Sequence, residues 1–131
     1  MKLVIYQTSD LHGYVYPTNY VKEQPLGILK IGSFIKKDEL NYDKSLKIDC
    51  GDLVQGSAMT HYLSKHDMKT NPIIEGLENI NYDAYVLGNH EFNYGLDYLN
   101  KSYSPISNKV INANIEGLQF ETKPYKIFDL D

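Results

Sequence analysis

The chain has 131 residues, 42% of them hydrophobic and 23% charged, which is enough for one globular domain with a buried core. Its formal net charge of -4 disfavours a nucleic acid polymer as a partner, because such partners usually bind a basic face. The single cysteine, Cys50, excludes an internal disulfide and is predicted to be a small core residue.

The hydrophobic pattern predicts strands that alternate with helices. In chain order, we predict a buried strand at 3–8, a loop at 14–24, a helix at 26–40, a strand at 46–50, short helices at 57–64 and 72–80, a strand at 84–87, a helical turn at 96–101, and strands at 109–113 and 125–130. This order favours a single α/β domain over 1–131, with a largely parallel sheet flanked by helices. No segment has the apolar length of a signal peptide or a transmembrane helix, so we expect no membrane partner.

Polar clusters follow three of the predicted strands. Asp10 and His12 come after the first strand, Asp52 after the second, and Asn89 and His90 after the third. Residues i and i+2 of an extended chain point the same way, so the side chains of Asp10 and His12 can meet one ion. In open α/β sheets, ligands bind at the carboxyl ends of the strands. Two carboxylates, two imidazoles and an amide therefore converge on one rim of the sheet.

Such a set of donors suits first-row divalent metals, namely manganese, iron, cobalt, nickel or zinc. Where two metals lie about 3.5–4 Å apart, a carboxylate can bridge them, and Asp52 is the natural candidate. A centre of this kind hydrolyses phosphoesters, while a neighbouring imidazole stabilises charge or protonates the leaving oxygen. The sequence thus predicts a metal-assisted reaction centre on the rim.

Three segments resemble the calcineurin-like metallophosphoesterases: 10–13 (Asp-Leu-His-Gly), 51–57 (Gly-Asp-Leu-Val-Gln-Gly-Ser) and 88–91 (Gly-Asn-His-Glu). The Gly-Asp-x-x-Gln-Gly variant and the run Asn-Ala-Asn at 112–114 are similar to the nucleotidase branch of that family, which contains 5'-nucleotidases and 2',3'-cyclic-nucleotide 2'-phosphodiesterases. The resemblance implies a layered metallophosphoesterase sandwich, two divalent metal ions and a small nucleotide substrate.

The resemblance also implies roles at the matching positions. Asp10 and His12 would bind the first metal, and Asp52 would bridge both metals. Asn89 would bind the second metal through its amide oxygen, whereas His90 would be the catalytic imidazole beside the leaving group. Four further residues are expected behind these groups: Glu91, Asn93, Asn112 and Asn114. For Glu91, a structural role and a catalytic role both stay open.

The sequence departs from the family pattern in two ways. Members of the family carry a later Gly-His and a Gly-His-x-His that complete both metal sites, and this chain has neither; His61 and His66 are expected to be surface residues. We therefore expect an N-terminal portion of a longer enzyme, whose reading frame continues past Asp131 and whose C-terminal nucleotide-binding domain is absent here. Its location would be cytoplasmic if Met1 is the native start, although family members are often exported.

The second departure is Asn93, because 5'-nucleotidases typically have Asp at this position, paired with the catalytic histidine. Asn lacks the charge with which Asp raises the pKa of an imidazole. The sequence Asn-Tyr-Gly at 93–95 resembles the cyclic-nucleotide subgroup, so we expect a 2',3'-cyclic-nucleotide 2'-phosphodiesterase/3'-nucleotidase. The alternatives are a 5'-nucleotidase and, from another class, a truncated, non-catalytic metal- or nucleotide-binding module. A nuclease acting on DNA is disfavoured by the acidic balance and by the Gln-Gly at 55–56.

Overall fold

The computed structural model describes residues 1–18 and 21–130, so residues 19 and 20 of the predicted loop 14–24 lie outside the described part. Strands and helices alternate within it as predicted. The strands are β1 (Leu3–Thr8), β2 (Lys44–Asp49), β3 (Ala84–Val86) and β4 (Val110–Ile111), and the helices are α1 (Ile28–Asp38), α2 (Ala58–Lys65), α3 (Pro72–Glu78) and α4 (Leu96–Tyr103). Short 3-10 turns follow at Glu39–Asn41, His90–Phe92 and Ser104–Lys109.

The four strands form one parallel sheet in the order β1-β2-β3-β4. The predicted α/β fold with a parallel sheet is confirmed. The carboxyl ends of all four strands consequently lie along one rim, where the predicted polar clusters follow β1, β2 and β3.

The predicted fifth strand at 125–130 is wrong. Lys123 makes a single bridge to Ile111, and residues 124–130 form no strand. Pro124 has no backbone N–H to donate to a ladder. The apolar side chains of Tyr125 and Ile127 are 69% and 83% exposed, so the alternating pattern of this segment has no sheet to pack on.

The core lies on one face of the sheet. Tyr6, Tyr85 and Val110 point to this face and join the cluster formed by the apolar residues of the helices. On the other face, Ile5 is 58% exposed and Val86 is 38% exposed. The prediction of a buried strand at 3–8 has the right boundaries but the wrong burial, because β1 is an edge strand with only one covered face.

Local signals explain where the helices on either side of the rim begin. Ser57 and Thr60 form a capping box at the start of α2, and the side chain of Asn71 caps α3 with Pro72 in its first turn. Cys50 is half-buried rather than in the core, and the side-chain amide of Gln7 donates to its Sγ at 3.3 Å. None of the helices in residues 1–18 and 21–130 is long and apolar enough to cross a bilayer.

Candidate metal centre

Left-handed turns after β1 and β2 carry three of the predicted ligands. Asp10, His12 and Asp52 have backbone φ angles of 57°, 48° and 57°, which lie in a region that residues other than glycine rarely adopt. The amide of Asp10 donates to the carbonyl of Gly51 at 3.0 Å, and the amide of His12 donates to the carbonyl of Asp52 at 2.9 Å. These two backbone bonds fasten the turns to each other.

The same three side chains form a cluster that fits a metal ion. One ligand atom each from Asp10, His12 and Asp52 lies within 4.8 Å of the others. The Nδ1 of His12 is 2.7 Å from the carbonyl oxygen of Gln55, to which it donates, so Nε2 keeps a lone pair for a metal. Carboxylate and imidazole donors in this arrangement suit the divalent ions that the sequence predicts.

Glycines allow the turns after β2 and β3 to approach each other. A Cβ on Gly88 would lie 2.3 Å from Oδ1 of Asp52, and a Cβ on Gly51 would lie 2.2 Å from the backbone nitrogen of Gly88. Neither position has room for a side chain, and Gly51 also has a φ of 93°. The two glycines are therefore required by the contact that brings Asp52 to the third cluster.

The third cluster is joined to the first two through Asp52. The backbone N–H of His90 donates to Oδ1 of Asp52 at 2.8 Å, and the rings of His12 and His90 are 5.3 Å apart, edge to face. The side-chain amide of Asn93 donates to Nδ1 of His90 at 2.9 Å, so the neutral ring carries its proton on Nε2. Asn89 lies exposed directly before the turn His90–Phe92, and its role as a ligand stays a prediction.

Glu91 is fully buried behind the rim. Its carboxylate accepts the backbone N–H groups of Asp52 and Gly88 at 2.8 Å each, and also those of Leu53 and Val54. The hydroxyl of Tyr103 donates to the same carboxylate at 3.3 Å. Three backbone donors from the turn after β2 and one from the turn after β3 explain how a buried carboxylate is tolerated, and they support the structural alternative for Glu91.

The other predicted residues are placed further from this network. The side chain of Asn112 accepts the amides of Asn114 and Ile115 and donates to the carbonyl of Ile115 and the hydroxyl of Thr122, so its bonds lie within the segment 112–122. Asn114 is exposed, and a contribution of either asparagine to the site stays a prediction. His61 and His66 are exposed, as the sequence indicates.

The sequence reasoning missed Asp49, the last residue of β2. Its side chain is 0% exposed and accepts the amide of Gly51 and the hydroxyl of Thr8. Burial raises the pKa of the Asp49 carboxyl to about 6, and the bonds from Thr8 and Gly51 offset only part of that effect. The sequence did contain a signal, because Asp49 is a charged residue within the predicted strand 46–50.

Comparison with known proteins identifies the family. The family model for the calcineurin-like phosphoesterases matches residues 3–128. The chain is 32% identical to the 2',3'-cyclic-nucleotide 2'-phosphodiesterase/3'-nucleotidase of Yersinia enterocolitica over 97% of its own length and 21% of that protein. It is 30% identical to the 5'-nucleotidase of Vibrio cholerae over 98% of its own length and 23% of that protein.

A solved structure agrees with this match. The crystal structure of the calcineurin-like phosphoesterase YfkN from Bacillus subtilis superposes with a TM-score of 0.78 at 32% identity, over 90% of this chain and 39% of the other. The chain belongs to the calcineurin-like phosphoesterase family. It spans only about a fifth of the length of the two relatives named above.

Proposed function

We propose that this chain provides the metal-binding rim and the catalytic imidazole of a metal-dependent phosphoesterase that hydrolyses 2',3'-cyclic nucleotides and 3'-nucleotides. The observation that carries the proposal is the cluster of Asp10, His12 and Asp52, whose ligand atoms lie within 4.8 Å of one another. The compartment in which it acts stays a prediction.

Each residue of the rim has a separate task in this proposal. Asp10 and His12 hold one divalent ion, with His12 oriented by its bond to Gln55. Asp52 would contribute a carboxylate to both ions, and Asn89 would help to hold the second. When bound, the ions polarise the phosphoryl oxygens and supply a nucleophile at neutral pH.

His90 acts on the leaving oxygen. Because Asn93 donates to Nδ1, the proton of the neutral ring is held at Nε2, from which it can be donated in a hydrogen bond. The bond from the His90 amide to Asp52 fixes the position of this imidazole relative to the metal-binding turns. A phosphoester bound between the ions and Nε2 would then be held for displacement of its leaving oxygen.

The test measures metal content and turnover together. The complete product of the reading frame is assayed with Mn²⁺ and with Zn²⁺ against 2',3'-cyclic AMP, 3'-AMP and 5'-AMP, and the 131-residue chain is assayed in parallel. We expect metal-dependent turnover, highest for 2',3'-cyclic AMP. Unchanged turnover after both Asp52→Ala and His90→Ala would contradict the proposal.

Two alternatives are separated by the same assay. A 5'-nucleotidase would prefer 5'-AMP, and the relative from Vibrio cholerae is the observation in its favour. A non-catalytic metal- or nucleotide-binding module would bind Mn²⁺ in calorimetry without turnover of any of the three substrates. This second alternative is favoured by the three-residue cluster, which by itself leaves the second metal with few ligands.

A further inference from the structure

A buried carboxylate lies directly behind the metal-binding turns. Asp49 ends β2 and is 0% exposed. Its two oxygens are used separately: Oδ1 accepts the backbone N–H of Gly51 at 3.0 Å, and Oδ2 accepts the hydroxyl of Thr8 at 2.7 Å. Both partners lie close in sequence to a metal ligand, since Gly51 precedes Asp52 and Thr8 lies two residues before Asp10.

The bonds of Asp49 belong to a closed set that links the ends of β1 and β2. The amide of Asp10 donates to the carbonyl of Gly51, and the amide of Cys50 donates to the carbonyl of Thr8 at 2.8 Å. The hydroxyl oxygens of Thr8 and Tyr82 are 3.0 Å apart, so Thr8 is itself held in place. Asp49 therefore contacts both chain segments at the point where each begins to turn.

The contacts place Asp49 behind the candidate metal ligands rather than among them. Its side chain has no exposed surface, and each of its oxygens already accepts a hydrogen bond. A buried carboxylate is costly unless its hydrogen bonds are satisfied, and burial raises the pKa of Asp49 to about 6. The benefit that offsets this cost must come from what Thr8 and Gly51 hold in place.

We propose that Asp49 is a positioning residue, whose two hydrogen bonds hold the turns of Asp10 and Asp52 in the left-handed conformation that brings their carboxylates to one ion. The hydrogen bonds of the two turns support the first part of this inference, namely that Asp49 holds the turns in place. Its second half, the effect on the ion, rests on the proposed function.

Two variants separate hydrogen bonding from charge. Asp49→Ala removes both acceptors. Asp49→Asn removes the charge but keeps an oxygen for the Gly51 amide and a donor for the Thr8 hydroxyl. Leu77→Ala is the control for lost stability, because Leu77 is 0% exposed in the core and belongs to α3, away from the rim.

Two measurements are made on the complete product of the reading frame: amide hydrogen exchange at Asp10, His12 and Gly51, and Mn²⁺ affinity by calorimetry. Substitution of a residue that orients a metal ligand typically weakens metal binding by about 10–100-fold. For Asp49→Ala we expect a loss in that range and locally faster exchange, and for Asp49→Asn an affinity within about threefold of wild type. Leu77→Ala should speed exchange throughout the chain and leave Mn²⁺ affinity unchanged.

The inference is overturned if Asp49→Ala changes neither local exchange nor Mn²⁺ affinity. It is also overturned if Asp49→Asn is as weak as Asp49→Ala, since charge would then be the cause. If Asp49→Ala does not fold, Thr8→Val removes one of the two bonds and is expected to show a smaller loss of the same kind. If the wild-type chain binds no Mn²⁺, the proposed function fails at its metal, whereas the exchange data still decide whether Asp49 holds the turns.

Discussion

The rim of the sheet has two halves, which differ in how closely their candidate ligand atoms lie together. In the half formed by the turns after β1 and β2, the ligand atoms of Asp10, His12 and Asp52 are already gathered. The half after β3 contributes Asn89 and His90, and His90 is tied to the first half by its bond to Asp52. The difference teaches that Asp52 links the two halves, and that the first half already has its candidate ligand atoms close together.

Asp52→Ala should have the largest effect, because it removes a ligand from both halves and the acceptor of the His90 amide. We expect Mn²⁺ affinity to fall by more than about 100-fold and phosphoesterase turnover to be lost. Calorimetry and a phosphate-release assay measure the two effects. Asp97→Ala is the matched control, since it removes one exposed carboxylate on α4. Metal affinity unchanged by Asp52→Ala would show that the gathered half is not a metal site.

His90→Ala should separate chemistry from metal binding. Loss of a hydrogen-bond donor aimed at charge that develops in the transition state typically lowers kcat by about 10²–10³-fold, so we expect turnover to fall by that amount. Mn²⁺ affinity should stay within about twofold of wild type, because the imidazole is not a ligand in the proposed site. Steady-state kinetics and calorimetry on His66→Ala, which removes an exposed histidine, provide the control. A parallel loss of metal and turnover would instead make His90 a ligand.

The stability of the gathered half should depend on pH through Asp49. Burial raises the pKa of Asp49 from 3.8 to about 6, so the folded chain binds this proton more tightly than the unfolded chain. The stability that Asp49 contributes is therefore greatest below about pH 4 and is lost as the pH rises through about 6. A shift of two pKa units corresponds to a change of about 3 kcal/mol in the free energy of unfolding across this pH range. The Asp49→Asn variant should not show this change, because its side chain does not titrate.

Urea unfolding of wild type and Asp49→Asn at both ends of this window, with EDTA present, measures the difference. Between about pH 4 and pH 7, the free energy of unfolding of wild type should fall by about 3 kcal/mol relative to that of the variant. Other carboxylates titrate in both proteins and cancel in the comparison. A constant difference across the window would contradict the raised pKa of Asp49.

A direct comparison of the two halves should give the smallest effect. His12→Ala removes one of three gathered ligands, and we expect Mn²⁺ affinity to fall by about 10-fold. Asn89→Ala should change the affinity of the first ion by less than about threefold, because this ion is held by the other half. Calorimetry on both variants makes the comparison. Equal losses would mean that the two halves bind the first ion together.

The sequence predicted the rim better than the sheet around it. Asp10, Asp52 and His90 follow strands, and the carboxyl ends of parallel strands must share an edge, so their approach could be inferred without coordinates. The burial of β1 could not be inferred from the sequence, because the pattern of Leu3–Thr8 fits a strand that is covered on one face as well as a strand covered on both. The segment 125–130 failed for a related reason: alternation of apolar residues marks a possible strand, but only a neighbouring strand provides its hydrogen bonds.

Asp49 and Gln55 mark a second limit. Gln55 acts through its backbone carbonyl, which any residue would provide, so its role cannot be predicted from the side chain. Asp49 was visible as a charge at the end of a strand, but its partners come from Gly51 and from Thr8 on another strand. Sequence patterns identify groups that meet a ligand at a strand end more readily than groups that hold the backbone behind it.

The left-handed turns set stability against function. A residue with a side chain costs up to about 1–2 kcal/mol in this conformation relative to glycine, so glycine at position 10, 12 or 52 would relieve backbone strain and bring no ligand. Asn81, which lies before β3, has a φ of 62° and is, like aspartate and histidine, a residue type that adopts this conformation more often than most. Strain of this kind is concentrated at functional sites, and the three rim positions carry the side chains that we propose as metal ligands.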